Sequence, residues 1–279
     1  VVPCTVSLVE TSVFSNCSNL SIVEFEETGV DDKYVELVIA DGKTTTSGSN
    51  QYTQTYYYGS FAGCASLETV VFPERLVSLG SYAFVDSGIT TIEFPSTLKS
   101  MGESVFFNAT RLKEVVFKNK TEEKDGKTVV VPSEFKELPA KAFFLGYSGN
   151  SLEKVVLPEG LTTIGYQAFY YCDKLTEITI PSTVTEIGAS YTIKNGSYTT
   201  IVNGSAFASC KSLAKVTFAE ESELETIGDS SFSGTAITSI SLPATLKKIG
   251  SSAFSGSKLK ELTFATEKAE GDEEAYASI

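Results

Sequence analysis

Cysteine is the most reactive side chain in this sequence, and its spacing limits the chemistry it can support. Of the five cysteines, four lie three residues after a phenylalanine: Cys17, Cys64, Cys172 and Cys210. Thiolate metal sites use close pairs such as C-x-x-C, which are absent. Other copies of the surrounding phrase place serine, alanine or threonine there, so the position selects a small side chain. We interpret these cysteines as buried free thiols, with Cys17–Cys64 and Cys172–Cys210 disulfides as the alternative.

Catalysis needs groups that move protons or hold phosphate, and the sequence supplies few of them. The chain has no histidine, which removes Ser-His-Asp and Cys-His mechanisms and every histidine metal ligand. No G-x-G-x-x-G or G-x-x-x-x-G-K-[ST] phosphate loop occurs. The carboxylate neighbours Glu122–Glu123 and Glu220–Glu221 are typical of solvated loop charge. We therefore predict a protein that is not an enzyme and that uses no cofactor or metal.

The charge balance narrows the range of partners. The chain has 22 basic and 35 acidic residues and a net charge of -13, which repels phosphate backbones and anionic lipid headgroups. Its only arginines are Arg75 and Arg111, too few for a basic groove. No run of 18 apolar residues is present. We predict neither a nucleic-acid partner nor a transmembrane segment.

A repeat built around phenylalanine supplies the elements that position all of these residues. Its nine copies carry Phe14, Phe61, Phe84, Phe106, Phe143, Phe169, Phe207, Phe232 and Phe254. Undisturbed copies are 22 or 23 residues apart, and the clearest passages combine to L-P-x-x-L-x-x-I-G-x-x-A-F-x-x-C-x-x-L-x-x-V-x-F-P. A period of this length is typical of stacked solenoid units.

Within one unit, the pattern predicts a short strand, an arm and a turn. Val70 and Phe72 alternate toward one face, and Pro73 ends the strand because proline lacks an N–H donor. The next arm ends at Gly80, and residues 81–84 predict a single helical or 3₁₀ turn with the phenylalanine inward. A coil this short cannot bury its own apolar edge, so the coils must stack.

The repeated I-G-x-x-A-F-x-x-C-x-x-L-x-x-V-x-F-P phrase resembles that of the BspA-type leucine-rich repeat proteins. The resemblance implies an α/β repeat solenoid, a right-handed superhelix with one parallel strand per 22–23-residue repeat. It also implies a secreted or cell-surface protein, of bacteria or some protists, that acts in adhesion or ligand binding. We expect one solenoid domain over 1–264 and a flexible acidic tail at 265–279.

Three inserts interrupt the repeat, near 26–58, 118–134 and 189–204. They contain Asp41–Gly42, Asp125–Gly126 and Asn195–Gly196 between β-prone runs. Because such dipeptides favour two-residue hairpin turns, we predict three projecting β-hairpins. Tyr56, Tyr57 and Tyr58 cluster in the first insert, and Tyr191 and Tyr198 lie in the third. Tyrosine is favoured at protein interfaces. The hairpins are either tolerated surface insertions or walls that contact a partner.

The predicted sheet has an outward face of mostly small, β-branched or charged residues, which suits a solvated surface. Val116 and Val156 are apolar exceptions on neighbouring strands. Alternating charges lie beside them, at Glu114, Lys154, Glu177 and Lys215. This strip is either ordinary surface or a seat for a protein or peptide with complementary charges.

These features favour a non-catalytic binding protein, secreted or displayed at the cell surface. We predict protein–protein interaction or adhesion to host or matrix proteins through the sheet face and the hairpins. The candidate contact residues are Tyr56, Tyr57, Tyr58, Val116, Lys154, Val156 and Glu177. A glycan ligand at the tyrosines and a structural stalk are the alternatives. We expect a monomer, with a signal or anchor region upstream of Val1.

Overall fold

The computed structural model describes residues 1–27, 35–47, 54–147, 150–195 and 198–265, which form strands joined by turns. The strands in chain order are β1 (Leu8–Val9), β2 (Ile22–Glu24), β3 (Leu37–Ile39), β4 (Lys43–Ser47), β5 (Gln54–Tyr58), β6 (Thr69–Val71), β7 (Leu76–Leu79), β8 (Thr91–Phe94), β9 (Ser100–Met101), β10 (Glu114–Phe117), β11 (Lys120–Lys124), β12 (Lys127–Val131), β13 (Glu137–Leu138), β14 (Lys154–Val156), β15 (Thr163–Gly165), β16 (Glu177–Ile180), β17 (Glu186–Ala189), β18 (Tyr191–Asn195), β19 (Tyr198–Val202), β20 (Lys215–Phe218), β21 (Thr226–Ile227), β22 (Ser239–Leu242), β23 (Lys248–Ile249) and β24 (Glu261–Phe264).

Two sets of parallel strands run along the stack of coils. The first set forms the hydrogen-bonded groups β2–β6, β8–β10–β14, β16–β20 and β22–β24. The second set forms β1–β3–β7–β9 and β13–β15–β17–β21–β23. The prediction of one strand per repeat was therefore incomplete, because the apolar arm after the proline is itself a strand. Both sides of a coil thus use their backbone groups to bind the next coil.

In the first set of strands neighbouring coils keep the same register, so equivalent residues lie above one another. In the second set the register shifts at Leu37–Val38 and at Ile164–Gly165. In the β10–β14 pair, Val115 faces Val155 and Val116 faces Val156. Val115 and Val155 are buried, whereas the flanking residues are more exposed. The alternation expected of a strand with one buried face therefore repeats from coil to coil.

The repeat phenylalanines form one continuous stack of rings through the core. Ring centroids of successive coils lie 4.8 to 5.7 Å apart, and the ring planes differ by no more than 25°. Paired strands lie roughly 4.8 Å apart, so one ring per coil fits the spacing that the backbone imposes. A second, shorter stack contains Phe25, Phe72, Phe94, Phe117 and Phe135.

The predicted helical or 3₁₀ turn at the phenylalanine is replaced by two overlapping β-turns. Around Phe84, Tyr82 and Asp86 have φ of 61° and 56°, which a right-handed helix does not allow. Their N–H groups and that of Phe84 donate instead to carbonyls of the next coil, at 2.9 to 3.1 Å. Across the described ranges no α-helix or 3₁₀ helix forms, so the α/β class is corrected to a β solenoid.

Three antiparallel strand pairs project from the coils: β4–β5, β11–β12 and β18–β19. The residues between the paired strands at 48–53 and 196–197 lie outside the described residues. Asp125 and Gly126 form the β11–β12 turn with positive φ, as an Asp-Gly turn requires. The hairpin predicted around Asp41–Gly42 was misplaced. The run before that dipeptide is β3, which pairs with β1 and β7.

Two glycines allow the outer hairpins to rejoin the stack. Gly59 follows β5 and Gly204 follows β19. A methyl group on Gly59 would lie 1.9 Å from the carbonyl oxygen of Tyr82, and one on Gly204 would lie 1.8 Å from that of Asp229. Only a residue without Cβ lets the chain return this close to the neighbouring coil.

Several expectations lie beyond what the described residues address. The predicted tail at 265–279 lies outside them except for Ala265, and the handedness of the superhelix and the 1–264 domain bounds stay predictions. Within the described residues, no helix has the length and apolar character needed to cross a membrane.

Candidate functional site at the turn edge

The predicted sheet-face residues lie together, but their charges are already matched. Val116 is half-buried beside Val156, which is 36% exposed. Lys154 Nζ lies 2.6 Å from Glu114 Oε1, and Glu177 pairs in the same way with Lys215 at 3.7 Å. The strip therefore offers a partner two small apolar side chains and carboxylates that their own lysines neutralise in part.

The tyrosines of β5 divide between solvent and the solenoid. Tyr56 and Tyr58 are 42% and 38% exposed, whereas Tyr57 points inward and is half-buried. The Tyr57 ring packs against Tyr82 at 5.3 Å and Phe107 at 5.2 Å between centroids. The first hairpin therefore leans over the phenylalanine turns of the two following coils.

These turns define what we call the turn edge, the side of the solenoid that carries the residues flanking each core phenylalanine. Its central coils carry an aromatic patch made of Tyr57, Tyr82, Phe107, Phe144, Tyr147, Tyr166, Tyr170, Tyr171 and Tyr191. The sequence reasoning singled out Tyr57 and Tyr191, as tyrosines of the first and third inserts, and missed the others. A signal was present, because Phe107, Phe144 and Tyr170 directly follow the core phenylalanine in three consecutive coils.

Ring contacts run through the patch without a break from Tyr57 to Tyr171. Phe107 contacts Phe144 at 5.6 Å between centroids, and Phe144 contacts Tyr170 at 5.7 Å. Tyr147 meets both Phe144 and Tyr171 at steep interplanar angles of 75° and 76°. Because the Tyr147 side chain is 73% exposed, much of its apolar surface faces solvent.

Glu103 connects the two hairpins that border the patch. The Tyr82 hydroxyl, which lies under the first hairpin, donates to Glu103 Oε1 at 2.7 Å. The Tyr191 hydroxyl, in β18 of the third hairpin, donates to Glu103 Oε2. Tyr191 also stacks on Tyr166, with the ring planes 3° apart. Tyr191 lies 88 positions after Glu103 in the sequence, so this carboxylate joins distant parts of the chain.

Burial and the Glu103 carboxylate raise the pKa of both Tyr82 and Tyr191 above the ordinary value near 10. The folded state therefore holds these protons at a pH where the unfolded chain releases them. We expect stability to be constant through neutral pH and to fall as the pH rises above about 10.

Replacing Tyr191 with phenylalanine should reduce the loss of stability at high pH, because one of these two hydroxyls with a raised pKa is removed. We expect Tyr191→Phe to have a lower Tm than the wild type at pH 7. The difference in Tm between the two proteins should become smaller between about pH 10 and 12. Melting followed by circular dichroism at several pH values measures both effects, with the exposed Tyr147→Phe as the control. Parallel Tm curves for Tyr191→Phe and wild type across that range would contradict the role of Glu103.

The cysteines lie where the repeat places them, and the buried ones are chemically quiet. The prediction of buried free thiols is confirmed for Cys64, Cys172 and Cys210 and wrong for Cys17, which is a free but exposed thiol in the first coil; Cys4 is of intermediate exposure. The buried thiols donate to backbone carbonyls of the preceding coil's phenylalanine at 3.0 to 3.4 Å. Burial raises the pKa of Cys64 and Cys210, which disfavours the reactive thiolate. Within the described residues, no three His, Cys, Asp or Glu side chains converge on a metal position.

A separate groove of about 900 Å³ lies over the outward face of β20, β22 and β24. The loop that follows Phe218 lacks the usual proline, and Glu221 there has a φ of 56°. The groove is lined by hydroxyl side chains, which are Thr217, Ser222, Ser239, Ser241, Thr245 and Thr263, and by carboxylates that include Glu261. Apolar residues that include Phe218, Ile240 and Pro243 complete the lining, so the groove has a mixed surface in which hydroxyls, and not aromatic rings, supply the polar contacts.

Comparison with known proteins gives a consistent family assignment. The model for the BspA type leucine-rich repeat region matches residues 48–144, 136–201 and 190–278 with six copies. This match covers most of the chain and confirms the resemblance seen in the repeat phrase. No curated protein sequence matches the chain.

Two solved structures share the fold at low sequence identity. A leucine-rich cell surface protein from Faecalibacterium prausnitzii is 24% identical, with a TM-score of 0.50, over 91% of this chain and 52% of that one. A leucine-rich repeat protein from Bacteroides ovatus is 23% identical, with a TM-score of 0.55, over 93% of this chain and 58% of that one. The chain thus spans just over half the length of each of these proteins.

Proposed function

Because the chain belongs to the BspA-type leucine-rich repeat family, we propose that it is a non-catalytic recognition module of a bacterial cell-surface protein. We propose further that it binds a partner protein through the turn edge. The cell-surface part of the proposal is supported by the description of the Faecalibacterium relative as a leucine-rich cell surface protein. Repeat solenoids present extended outer surfaces for binding, which is where we place the contact.

The observation that carries this proposal is the continuous aromatic patch bordered by two hairpins. Tyrosine and phenylalanine give large contact areas with few rotatable bonds, so ordering them on binding costs little entropy. The ring contacts and the Glu103 hydrogen bonds hold most of these side chains in place before a partner arrives. A preorganised surface of this kind favours protein recognition.

The sheet face supports the proposal less well. Val116 and Val156 are isolated among side chains that pair with each other, and single exposed valines are ordinary on protein surfaces. We therefore move the main contact surface from the predicted sheet face to the turn edge, and we keep the Tyr56–Tyr58 hairpin as one of its walls.

A matched pair of double variants tests the location of binding. Immobilised extracellular-matrix and cell-surface proteins would be screened by biolayer interferometry against wild type, Tyr147→Ser/Tyr171→Ser and Val116→Ser/Val156→Ser. For any partner found, we expect the tyrosine variant to bind at least about tenfold more weakly and the valine variant to bind within about twofold of wild type. The opposite ranking would return the contact surface to the sheet face.

A glycan ligand is the second candidate, and the hydroxyl-lined groove over β20 to β24 favours it. Side-chain hydroxyls and carboxylates there present hydrogen-bond donors and acceptors to a polar ligand. A glycan array with wild type and Glu261→Gln tests this candidate, because Glu261 lines the groove and lies outside the patch. Binding to neither proteins nor glycans would instead favour a structural stalk.

A further inference from the structure

Resting on the proposed function, we propose that the aromatic patch binds a cationic segment of the partner, with arginine side chains lying against its exposed tyrosines. Three observations carry this inference: a cation that the patch already holds, the accessibility of the tyrosine surfaces, and the charge around them.

The patch contains its own example of the interaction. Lys211 Nζ lies 5.6 Å from the centroid of the Tyr171 ring and 3.3 Å from Asp173 Oδ2. The ammonium therefore contacts an aromatic ring and a carboxylate together, and the quadrupole of the ring attracts the cation. Lys211 is 65% exposed, so this pairing forms where a ligand can also reach.

Further ring surface is available beside this pair. Tyr147 contacts Tyr171 at 5.5 Å and is 73% exposed, and Tyr170 contacts Tyr171 at 4.6 Å. A planar guanidinium can stack on such rings while its N–H groups reach neighbouring oxygens, whereas a compact ammonium cannot stack. This geometry favours arginine over lysine in the partner.

The charge of the edge is complementary to such a segment. Among the described residues, carboxylates at the patch include Asp86, Glu103 and Asp173, and ammonium groups include Lys141 and Lys211. Asp86 is exposed, and its charge adds to burial, the larger cause, in raising the pKa of the patch residue Tyr57. Over the whole chain the net charge is -13, so a cationic segment is attracted from a distance and an acidic one is repelled.

The test uses a fluorescein-labelled nonapeptide of alternating glycine and arginine, with otherwise identical lysine and citrulline peptides. Fluorescence anisotropy with the full chain should give tightest binding for the arginine peptide and at least about tenfold weaker binding for citrulline, which keeps the shape and removes the charge. The Tyr147→Ser/Tyr171→Ser variant should bind the arginine peptide about tenfold more weakly.

Two substitutions with the same change in charge separate the patch from general attraction to an acidic protein. We expect Asp86→Asn to weaken binding about threefold and Glu261→Gln, in the distant groove, to change it by less than about 1.5-fold. Three outcomes would each overturn the inference. These are equal effects of the two substitutions, equal binding of the arginine and citrulline peptides, and undiminished binding of the arginine peptide by the tyrosine variant.

Failure of this inference is distinguishable from failure of the proposed function. If a partner protein loses binding to the tyrosine variant while the arginine peptide binds no better than citrulline, the turn edge stands as the contact surface and the cationic preference is wrong. If the arginine peptide binds at the patch but no protein depends on it, the cationic preference stands and the proposed function loses its support.

Discussion

Replacing Phe169 with alanine is expected to lower the free energy of unfolding by about 3 to 5 kcal/mol, the usual cost of a buried phenylalanine-to-alanine change. Phe169 is fully buried, and its ring lies between those of Phe143 at 5.3 Å and Phe207 at 4.8 Å. The substitution removes both stacking contacts and leaves a cavity that the hydrogen-bonded coils cannot close. Urea denaturation followed by circular dichroism measures the loss.

Phe254 supplies the matched control. Its ring is half-buried and contacts one neighbouring ring, that of Phe232 at 5.4 Å. Phe254→Ala should therefore cost less than half as much as Phe169→Ala, since less surface leaves water on folding and less cavity remains. A loss below about 1 kcal/mol for Phe169→Ala, or equal losses for the two variants, would contradict the continuous ring stack as the core of this protein.

The second large effect is expected at Arg75, whose side chain is only 4% exposed. Its guanidinium donates to backbone carbonyls of Pro3, Val6, Glu26 and Val35, at 2.7 to 3.3 Å. Among the described residues it forms no ion pair with a carboxylate. Arg75→Leu should cost about 3 to 5 kcal/mol, because four partly buried carbonyls lose the same charged donor together.

The other arginine of the chain tests the reason for this effect. Arg111 is 52% exposed and pairs with Glu68 at 2.8 Å on the surface. Because exposed ion pairs contribute little, Arg111→Leu should change the free energy of unfolding by less than about 1 kcal/mol. The comparison is made by urea denaturation of both variants. Similar losses of unfolding free energy in the two variants would show that the hydrogen bonds of Arg75 are not the cause of its effect.

The turn edge and the core depend on the same backbone feature. Left-handed residues two positions before and after a core phenylalanine, such as Ser104 and Asn108, replace the expected helical turn. This geometry keeps the phenylalanine inward and presents the residue after it on the edge, which is how Phe107 joins the patch. A helical turn would have placed these side chains differently, so the patch was not visible before the turn was known.

The solenoid itself could be predicted because a strict hydrophobic period leaves few alternatives. A coil with apolar residues at fixed positions every 22 or 23 residues must stack to bury them, whatever its other residues do. The same reasoning correctly placed small residues beside the core phenylalanines, where Cys172 and Cys210 are buried. It also located the adjacent Val116 and Val156, because register follows directly from the repeat.

The candidate site could not be predicted in the same way, because its members share no local pattern. Tyr57, Tyr82 and Tyr191 come from a hairpin, a turn and a second hairpin, and the Glu103 carboxylate connects the last two. Sequence reasoning also took the run before Asp41–Gly42 for a hairpin strand, although it pairs with β1 and β7. A short β-prone run carries no information about which neighbour it will pair with.

The sequence by itself determined the repeat, the inward phenylalanines and the acidic, histidine-free composition, since each is a property of residue type and spacing. Tertiary structure alone decided that each coil has a second strand, that the turns are not helical and that two hairpins converge over one aromatic patch. Such features arise from contacts between residues far apart in the chain, and the energies of those contacts depend on geometry that no local pattern encodes.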